Sequence, residues 1–246
     1  MISLRASDHI PQLSIDCVIF GFSQNQLRVL SPKLIFKGDF WSLPGGFVRQ
    51  DESIDQAARR ILEERTGIKD IYLEQFRVFG ETDRSNLSFW DRLTELNGEA
   101  FVAEHFNRKE LEWITKRFVS IGYYALVDIT KVIPVKMEAD ESVEWYDIQN
   151  LPPMIMDHNQ IVAAALMSLQ QNLDQKLIAF NLLPETFTMN EVQQIYEVVL
   201  NKTLLRSNFQ KKILDLNVLE RLEKKFTGKA NKAPYLYRWA QLRMSN

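Results

Sequence analysis

The sequence predicts a protein of two domains, in which an α/β sandwich is followed by a smaller and more basic domain. Strand-like and helix-like segments are intermixed up to residue 173, as in layered α/β folds. Charge divides near the same place, because residues 1–174 carry 18 Lys and Arg against 26 Asp and Glu, whereas residues 175–246 carry 12 against 6. We therefore predict domains at 1–174 and 175–246. The basic domain indicates either a nucleic-acid-binding surface or a solvated face.

Strands of the first domain are predicted by short β-branched or alternating runs, at residues 14–22, 26–30, 71–79 and 119–127. Ser23, Gln24 and Asn25 separate the first two runs, which is the pattern of a hairpin. Residues 53–66 have helical periodicity, and Gly67 follows where a left-handed C-terminal cap is expected. Residues 157–173 predict a helix that closes the domain, with Asp157 or Asn159 as its start signal and Asp157 in a capping position.

An insertion of residues 85–117 interrupts this pattern. It is rich in charged and aromatic side chains, and residues 108–116 predict a helix within it. Its role stays open between an oligomer contact and a lid.

The second domain begins with a capping box, because Thr188 and Glu191 have the spacing that starts a helix. Ser207 is predicted to cap a second helix, which we place at residues 208–216. A Gly, Asn and Pro turn rich in lysine and a returning strand at residues 235–238 complete the domain. Helix, helix and basic hairpin, in that order, predict a winged helix-turn-helix.

One segment of the first domain, residues 46–68, resembles the Nudix box, G-x5-E-x7-R-E-U-x-E-E-x-G-U, in which U is aliphatic. The matching residues are Gly46, Glu52, Arg60, Leu62, Glu64, Gly67 and Ile68. A register shifted by one residue would supply Glu63 and Glu64 as an acidic pair but would lose the glycine match. The resemblance implies a Nudix α/β/α sandwich with a mixed sheet.

The metal positions of this box are altered. Positions 61, 64 and 65 lie on one face of a helix, where three carboxylates can hold Mg²⁺ for phosphoryl chemistry. The chain instead has Ile61, Glu64 and Arg65. A fixed positive charge repels a dication ~4 to 5 Å away by several kcal/mol even with strong screening. We therefore predict no bound metal, no catalytic residue and no cofactor.

A box without metal can still form a receptor pocket. Pro44, Gly45 and Gly46 predict a turn that lets the backbone approach a ligand closely. The predicted ligand-binding residues are Trp41, Arg49, Glu52, Arg60, Glu64 and Arg65. Two alternatives stay open, namely that Glu64 only pairs with a neighbouring arginine and that Trp41 is a core aromatic.

Segments beyond the box extend the resemblance over nearly the whole chain. NLLPETFT at 181–188, RSNF at 206–209 and the closing strand at 233–238 are similar to Nudix-related transcriptional regulators. That family includes repressors that respond to ADP-ribose and regulators of sugar utilisation in Bacteroidetes, and IDCVIFGF at 15–22 resembles the arabinose-responsive branch. The resemblance implies a double-stranded DNA operator and an effector, which is a pentose such as arabinose, a sugar phosphate or ADP-ribose. A homodimer is expected because one winged helix alone buries little DNA surface and paired half-sites multiply it. A short loop is normal in the family where the insertion lies.

The DNA-binding residues predicted from this order of elements are Arg206, Asn208, Lys211, Lys212, Lys229 and Lys232. The second helix would enter the major groove, with Asn208, Lys211 and Lys212 near bases or phosphates and Arg206 on the backbone. The two wing lysines would contact phosphate or the minor groove.

Two other functions remain open at this stage. The first is a Mg²⁺-dependent Nudix pyrophosphohydrolase of ADP-ribose or a sugar nucleotide, which would use Glu52, Glu64 and Glu63. The second is a protein-interaction module. Cys17 is the only cysteine in the sequence, and no apolar run approaches the ~20 residues of a membrane span, so we expect a cytoplasmic, nucleoid-associated protein without a membrane partner.

Overall fold

The computed structural model of the protein describes residues 5–69, 71–82, 84, 87–174, 179, 182–225 and 233–240. The chain divides into two units, one formed by Met1–Ser23 with Leu27–Leu169 and the other by Gln24–Gln26 with Gln170–Asn246. No helix of the described residues has both the length and the hydropathy required to cross a membrane.

The elements from the N-terminus to the end of the long closing helix are β1 (His9–Ser23), β2 (Gln26–Leu34), β3 (Gly45–Arg49), α1 (Ile54–Thr66), β4 (Leu73–Phe79), α2 (Leu87–Asn97), α3 (Glu99–His105), α4 (Arg108–Ile114), β5 (Val119–Asp128), β6 (Asp140–Asp147) and α5 (His158–Asn172). The strands form a mixed sheet in the order β4-β5-β1-β2-β6. The sixth strand, β3, lies outside this order and pairs antiparallel with β1. β1 and β5 are parallel, whereas β2 with β6 and β4 with β5 are antiparallel. The predicted hairpin is confirmed, and both Gln24 and Asn25 have positive φ, as a tight turn requires.

Side-chain alternation along β1 divides the core into two faces. Ile15, Cys17 and Ile19 are fully buried in the same apolar cluster as Ala57 and Ile61 of α1. On the opposite face, the ring of Phe20 lies 6.4 Å from that of Tyr124. The sheet is therefore buried on both faces, which makes this unit a sandwich.

Helix α1 confirms the local signals in the sequence. Ser53 and Gln56 form a reciprocal capping box at its start, and Gly67 ends it in the left-handed conformation with φ 68°.

Of the predicted turn at Pro44–Gly46, only Pro44 lies in a bend, whereas Gly45 and Gly46 are the first two residues of strand β3. Gly45 and Gly46 lie opposite Asp16 and Ile15 in the antiparallel ladder with β1. A Cβ on Gly46 would come within 3.0 Å of Ile61, and one on Gly45 would come within 2.9 Å of the Asp16 carboxylate. These glycines are therefore required by close packing within the protein.

The insertion contains the predicted helix as α4, and α2 and α3 precede it. The described part of the insertion packs into a second apolar cluster, separate from the core around β1. This cluster combines Trp90, Leu93, Val102 and Phe106 of the insertion with Phe36 and Phe40 from the segment after β2. This packing holds the insertion helices against that segment.

The second unit contains β7 (Phe187–Thr188), α6 (Met189–Leu200), α7 (Arg206–Asp215), β8 (Leu219–Lys224) and β9 (Tyr235–Trp239), with its strands in the order β7-β9-β8. The capping box of Thr188 with Glu191 is confirmed at the start of α6. Tyr196 of α6 and Phe209 of α7 meet edge to face at 5.1 Å, and Val192, Ile195 and Ile213 are buried with them. A helix pair beside a small antiparallel sheet is the predicted winged helix arrangement.

The predicted capping of α7 by Ser207 is wrong, because the helix begins at Arg206, two residues before the predicted start, and has no side-chain cap. Side chains of α6 hold the entry to this helix instead. Glu197 accepts a hydrogen bond from the backbone N–H of Leu204 at 2.8 Å, and Gln193 donates to the Leu204 carbonyl at 2.9 Å. The Leu204 N–H stabilises the carboxylate and lowers the pKa of Glu197.

Candidate functional site

Arg60 is the centre of a closed polar network on the box helix. Its guanidinium donates to both carboxylate oxygens of Glu52, at 2.9 and 2.7 Å, and to Glu64 at 3.2 Å. It also donates to the Phe47 carbonyl at 3.1 Å, which fixes α1 to β3. The hydrogen bonds from Arg60 lower the pKa of Glu52, and the same pairing raises the pKa of Arg60.

The loop before α1 is fixed by the same network. Glu52 accepts a hydrogen bond from the backbone N–H of Arg49 at 2.9 Å, and the Arg49 guanidinium lies 3.7 Å from Glu64. The structure therefore brings together Arg49, Glu52, Arg60 and Glu64, as the spacing of the box predicts. The carboxylates of Glu52 and Glu64 are both paired with guanidinium groups, and these pairs hold the loop against the helix.

The two altered box positions are buried. Ile61 is 1% exposed and belongs to the core beneath the sheet. Arg65 forms an ion pair with Asp140, whose side chain is also 1% exposed. The anionic group that Arg65 contacts is thus a carboxylate of its own chain. Asp140 also accepts a hydrogen bond from the Met137 N–H at 2.8 Å, so the pair closes the loop before β6 onto the end of α1.

Next to Arg65 lies a cavity of about 290 Å³ between strands β1 and β3 and the insertion helices. Aromatic side chains form much of its lining, namely Phe36, Phe47, Phe89, Trp90, Phe106 and Phe118. Of the predicted ligand-binding residues, all of which lie in the described part of the chain, Arg65 alone lines this cavity. The insertion therefore contributes part of the lining of this cavity, and the choice between an oligomer contact and a lid stays open.

Trp41 lies at a different hollow, which is lined also by Phe40, Arg92 and Met154. Its indole N–H donates to the Tyr146 hydroxyl at 2.9 Å, and the Lys33 ammonium lies 5.6 Å from its ring centre. Trp41 is thus half-buried in contacts of its own, away from the Arg60 network.

The polar wall of the aromatic cavity is centred on Asp16 and Arg84, which are both buried. The Arg84 guanidinium lies 3.4 Å from Asp16 and donates to Asp157 at 2.7 Å and to the Phe118 carbonyl at 3.0 Å. Ser120 donates to the same Asp16 carboxylate at 2.5 Å. Asp157 was expected to cap α5, but its side chain pairs with Arg84 instead.

His158 completes this wall, and its tautomer follows from its partners. The Leu43 N–H donates to Nδ1 at 2.9 Å, so the ring proton is on Nε2, which lies 3.7 Å from the Asp16 carboxylate. Burial lowers the pKa of His158, although Asp16 opposes this shift. Sequence reasoning did not identify Asp16 or Arg84 as site residues, because no motif links residues 68 positions apart.

Within the described residues, no cluster of three or more His, Cys, Asp and Glu side chains is arranged to hold a metal ion. This finding agrees with the geometry of the box, in which Ile61 and Arg65 are directed into buried contacts.

In the second unit, the predicted DNA-binding residues differ in their surroundings. Arg206, Asn208 and Lys211 are exposed on α7. Lys212 is partly engaged, because its ammonium pairs with Asp174 at 2.5 Å and lies 5.8 Å from the centre of the Tyr196 ring. Lys229 and Lys232 lie outside the described residues.

The strands of the wing present further cations. Arg221 and Lys224 of β8 both lie over the exposed ring of Tyr235, at 4.6 and 5.4 Å from its centre. Neither forms an ion pair with a described residue, whereas Arg238 on the neighbouring strand is paired with Glu220 at 2.9 Å. Positive charge without an ion-pair partner among the described residues therefore extends from α7 to the wing strands.

The mixed-sheet sandwich, the Arg60 loop and helix, and the second unit together define a protein that joins a Nudix-type domain to a winged helix domain. The chain belongs to the Nudix family: residues 11–166 match the NUDIX domain, and residues 179–239 match the NrtR DNA-binding winged helix domain. The family and the fold class predicted from the sequence are confirmed.

Similar proteins are known from bacteria. A protein of Acinetobacter baylyi named ADPR responsive transcriptional repressor NtrR is 28% identical over 240 residues, which cover 94% of this chain and 82% of the relative. The crystal structure of Shewanella oneidensis NrtR in complex with a 27mer DNA is similar with a TM-score of 0.67 and 25% identity, over 93% of this chain and 94% of that chain. A MutT/nudix family protein from Enterococcus faecalis shares the fold with a TM-score of 0.67 at 19% identity, over 94% of this chain and 87% of that chain.

Proposed function

We propose that this protein is a ligand-responsive transcriptional repressor. Its winged helix unit binds an operator in double-stranded DNA, and its Nudix unit senses a small-molecule effector. The observation that carries the proposal is the Arg65–Asp140 pair. It fills the metal position of the box with an internal ion pair, while the Arg60 network retains the loop and helix as a scaffold.

The DNA-binding part is supported by charge and by similarity. Arg206 and Lys211 of α7 and Arg221 and Lys224 of β8 form no ion pair with a described residue, which suits contact with a phosphate backbone, a major source of affinity in such interfaces. The similar Shewanella oneidensis protein has been crystallised with DNA. A homodimer follows as part of the proposal, because two linked winged helices that bind paired half-sites gain affinity together.

For the effector, we propose ADP-ribose as the first compound to test, because the Acinetobacter baylyi relative is named for its response to ADPR. A pentose such as arabinose and a sugar phosphate remain predictions from the sequence resemblance. The effector would release DNA if it binds one arrangement of the dimer better than the other.

No observation favours the alternative of a pyrophosphohydrolase. Glu52 and Glu64 would have to hold Mg²⁺, but both are engaged by Arg60, and the neighbouring slots are Ile61 and Arg65.

Gel-shift titration of the full chain against the DNA upstream of its own gene tests the proposal. We expect sequence-specific binding that weakens steeply with salt, and release of the DNA by ADP-ribose. Arabinose and a sugar phosphate are run in parallel to decide the effector. Failure to bind specifically even at low salt would refute the DNA-binding function.

A further inference from the structure

Leu205, the residue before helix α7, is the most exposed large apolar residue among the described residues of the second unit. It is 74% exposed, whereas the next most exposed, Leu214 and Tyr235, are each 38% exposed. A leucine stabilises a fold through the apolar area that it buries. Leu205 buries little of its own, so its apolar surface remains available to a partner.

Leu205 occupies the N-cap of α7, where an apolar side chain is unfavourable. Ser, Thr, Asp and Asn stabilise an N-cap because their side chains accept a hydrogen bond from a backbone N–H of the first helical turn. Leu205 cannot accept one, and α7 has no side-chain cap. The stability of the helix therefore does not account for a leucine at this position.

The backbone on both sides of Leu205 is fixed. Leu204 is held by two side chains of α6, because its N–H donates to Glu197 at 2.8 Å and its carbonyl accepts from Gln193 at 2.9 Å. The carbonyl of Leu205 accepts a hydrogen bond from the N–H of the buried Phe209 at 2.9 Å. A side chain on a fixed backbone loses less conformational entropy on binding, so Leu205 is preorganised for contact.

The chain around Leu205 is basic. Residues 198–214 contain four Lys and Arg and no Asp or Glu. Arg206 and Lys211 are exposed and form no ion pair with a described residue. A second copy of the same surface would be repelled by these charges. The surroundings of Leu205 therefore suit a polyanion that presents an apolar group.

Double-stranded DNA presents such a group in its major groove. The C5-methyl group of thymine lies there, and apolar side chains distinguish thymine from the other bases by contact with it. In helix-turn-helix docking, the residues at the N-terminus of the recognition helix reach the base edges. Leu205 lies at that end of α7, one helical turn before the exposed Asn208.

We propose that Leu205 is a specificity-determining residue, which packs against the C5-methyl group of a thymine in the major groove of the operator. The inference rests on the proposed function, because it assigns a base-reading contact within the DNA-binding surface of the repressor. The neighbouring cations contact phosphates and position the helix, whereas Leu205 identifies the base.

Gel-shift titration of the full chain with two forms of one duplex tests the inference. The first duplex is the DNA upstream of the protein's own gene, and the second has every thymine replaced by deoxyuridine, which pairs in the same way but lacks the methyl group. We expect the wild type to bind the second duplex more weakly. In Leu205→Ala, the ratio of the two affinities should be smaller by about fourfold, which corresponds to the burial of one methyl-sized group.

Two further variants separate base reading from other effects. Leu214→Ala is the matched control, because Leu214 is an exposed leucine of the same helix, ~13 Å further along its axis, and it should keep the wild-type ratio. Leu205→Ser supplies the missing cap, so its melting temperature should not fall below that of the wild type, whereas its affinity ratio should decrease as in Leu205→Ala.

The outcomes distinguish this inference from the proposed function. A wild-type affinity ratio in Leu205→Ala, or an equal loss of affinity for both duplexes, would overturn the thymine contact and leave the DNA-binding function intact. Equal binding of the two duplexes by the wild type would overturn it as well. If the wild type bound neither duplex specifically, the repressor function would be refuted together with the role of Leu205.

Discussion

Replacing Arg65 with methionine should destabilise the Nudix unit strongly. The Asp140 side chain is 1% exposed and the Arg65 side chain 11%, so the substitution leaves a carboxylate in the interior without its counter-ion. Among described residues, the Met137 N–H would then be the remaining donor to this carboxylate, because its second oxygen has no partner. Removing one member of a buried ion pair costs about 3–5 kcal/mol. We expect a loss of that size in the free energy of unfolding.

A double-mutant cycle separates the pair from other effects of the substitution. Asp140→Asn removes the charge while retaining an acceptor for the Met137 N–H, and the double variant Arg65→Met with Asp140→Asn removes the ion pair altogether. We expect the double variant to be more stable than the sum of the single changes implies, by about 1–3 kcal/mol.

Urea unfolding followed by tryptophan fluorescence is a suitable assay, because four of the five tryptophans lie in the first unit. A cost for Arg65→Met below ~1 kcal/mol, or additive effects of the two changes, would refute the reasoning. Arg65 would then be free to act as the ligand-binding residue predicted from the sequence.

Three further predictions follow from the same contacts. Lys211→Ala should weaken operator binding and reduce the slope of log affinity against log salt by about 1. Lys212→Ala should change this slope less, because the Asp174 carboxylate already engages that ammonium. Equal slopes for the two variants in gel-shift titrations would contradict this difference. The folded protein holds the pKa of His158 below its unfolded value of ~6.5, so the unfolded chain binds the proton first as the pH falls. The melting temperature should therefore fall as the pH drops below ~6.5. If His158→Gln had the same pH profile as the wild type, His158 would not be the group responsible. The wild-type protein should give no calorimetric heat with Mg²⁺, and Mg²⁺-dependent hydrolysis of ADP-ribose by the wild type would refute the loss of the metal site. The double variant Ile61→Glu with Arg65→Glu should have a lower melting temperature than the wild type, because both positions are buried.

Features that depend on neighbouring residues were predictable from the sequence. The capping box at Thr188 and the left-handed end at Gly67 were predicted, and both are set by chemistry within four residues. The capping box at Ser53 is equally local, but the sequence analysis did not name it. The Nudix box predicted the association of Glu52 with Arg60 for the same reason, since a loop and one helix carry the whole motif.

Features that depend on distant pairing were not predictable. Asp140, the partner of Arg65, lies 75 residues away on a strand that the sequence analysis did not identify. The assignment of Gly45 and Gly46 to a turn failed because the requirement for glycine comes from β1 and α1, which a local pattern does not show. The spacing of Trp90 and Leu93, both buried on α2, was a helical signal that could have indicated this part of the insertion.

The burial of Cys17 at the centre of β1 provides a built-in reporter. Its thiol is fully buried, and burial raises its pKa, so the reactive thiolate is suppressed in the folded protein. Since the sequence has no other cysteine, covalent labelling by a thiol reagent would count openings of the central sheet alone. A candidate effector that binds the folded Nudix unit would slow this labelling. The labelling rate would then measure, without any engineered probe, how much each effector suppresses openings of the sheet.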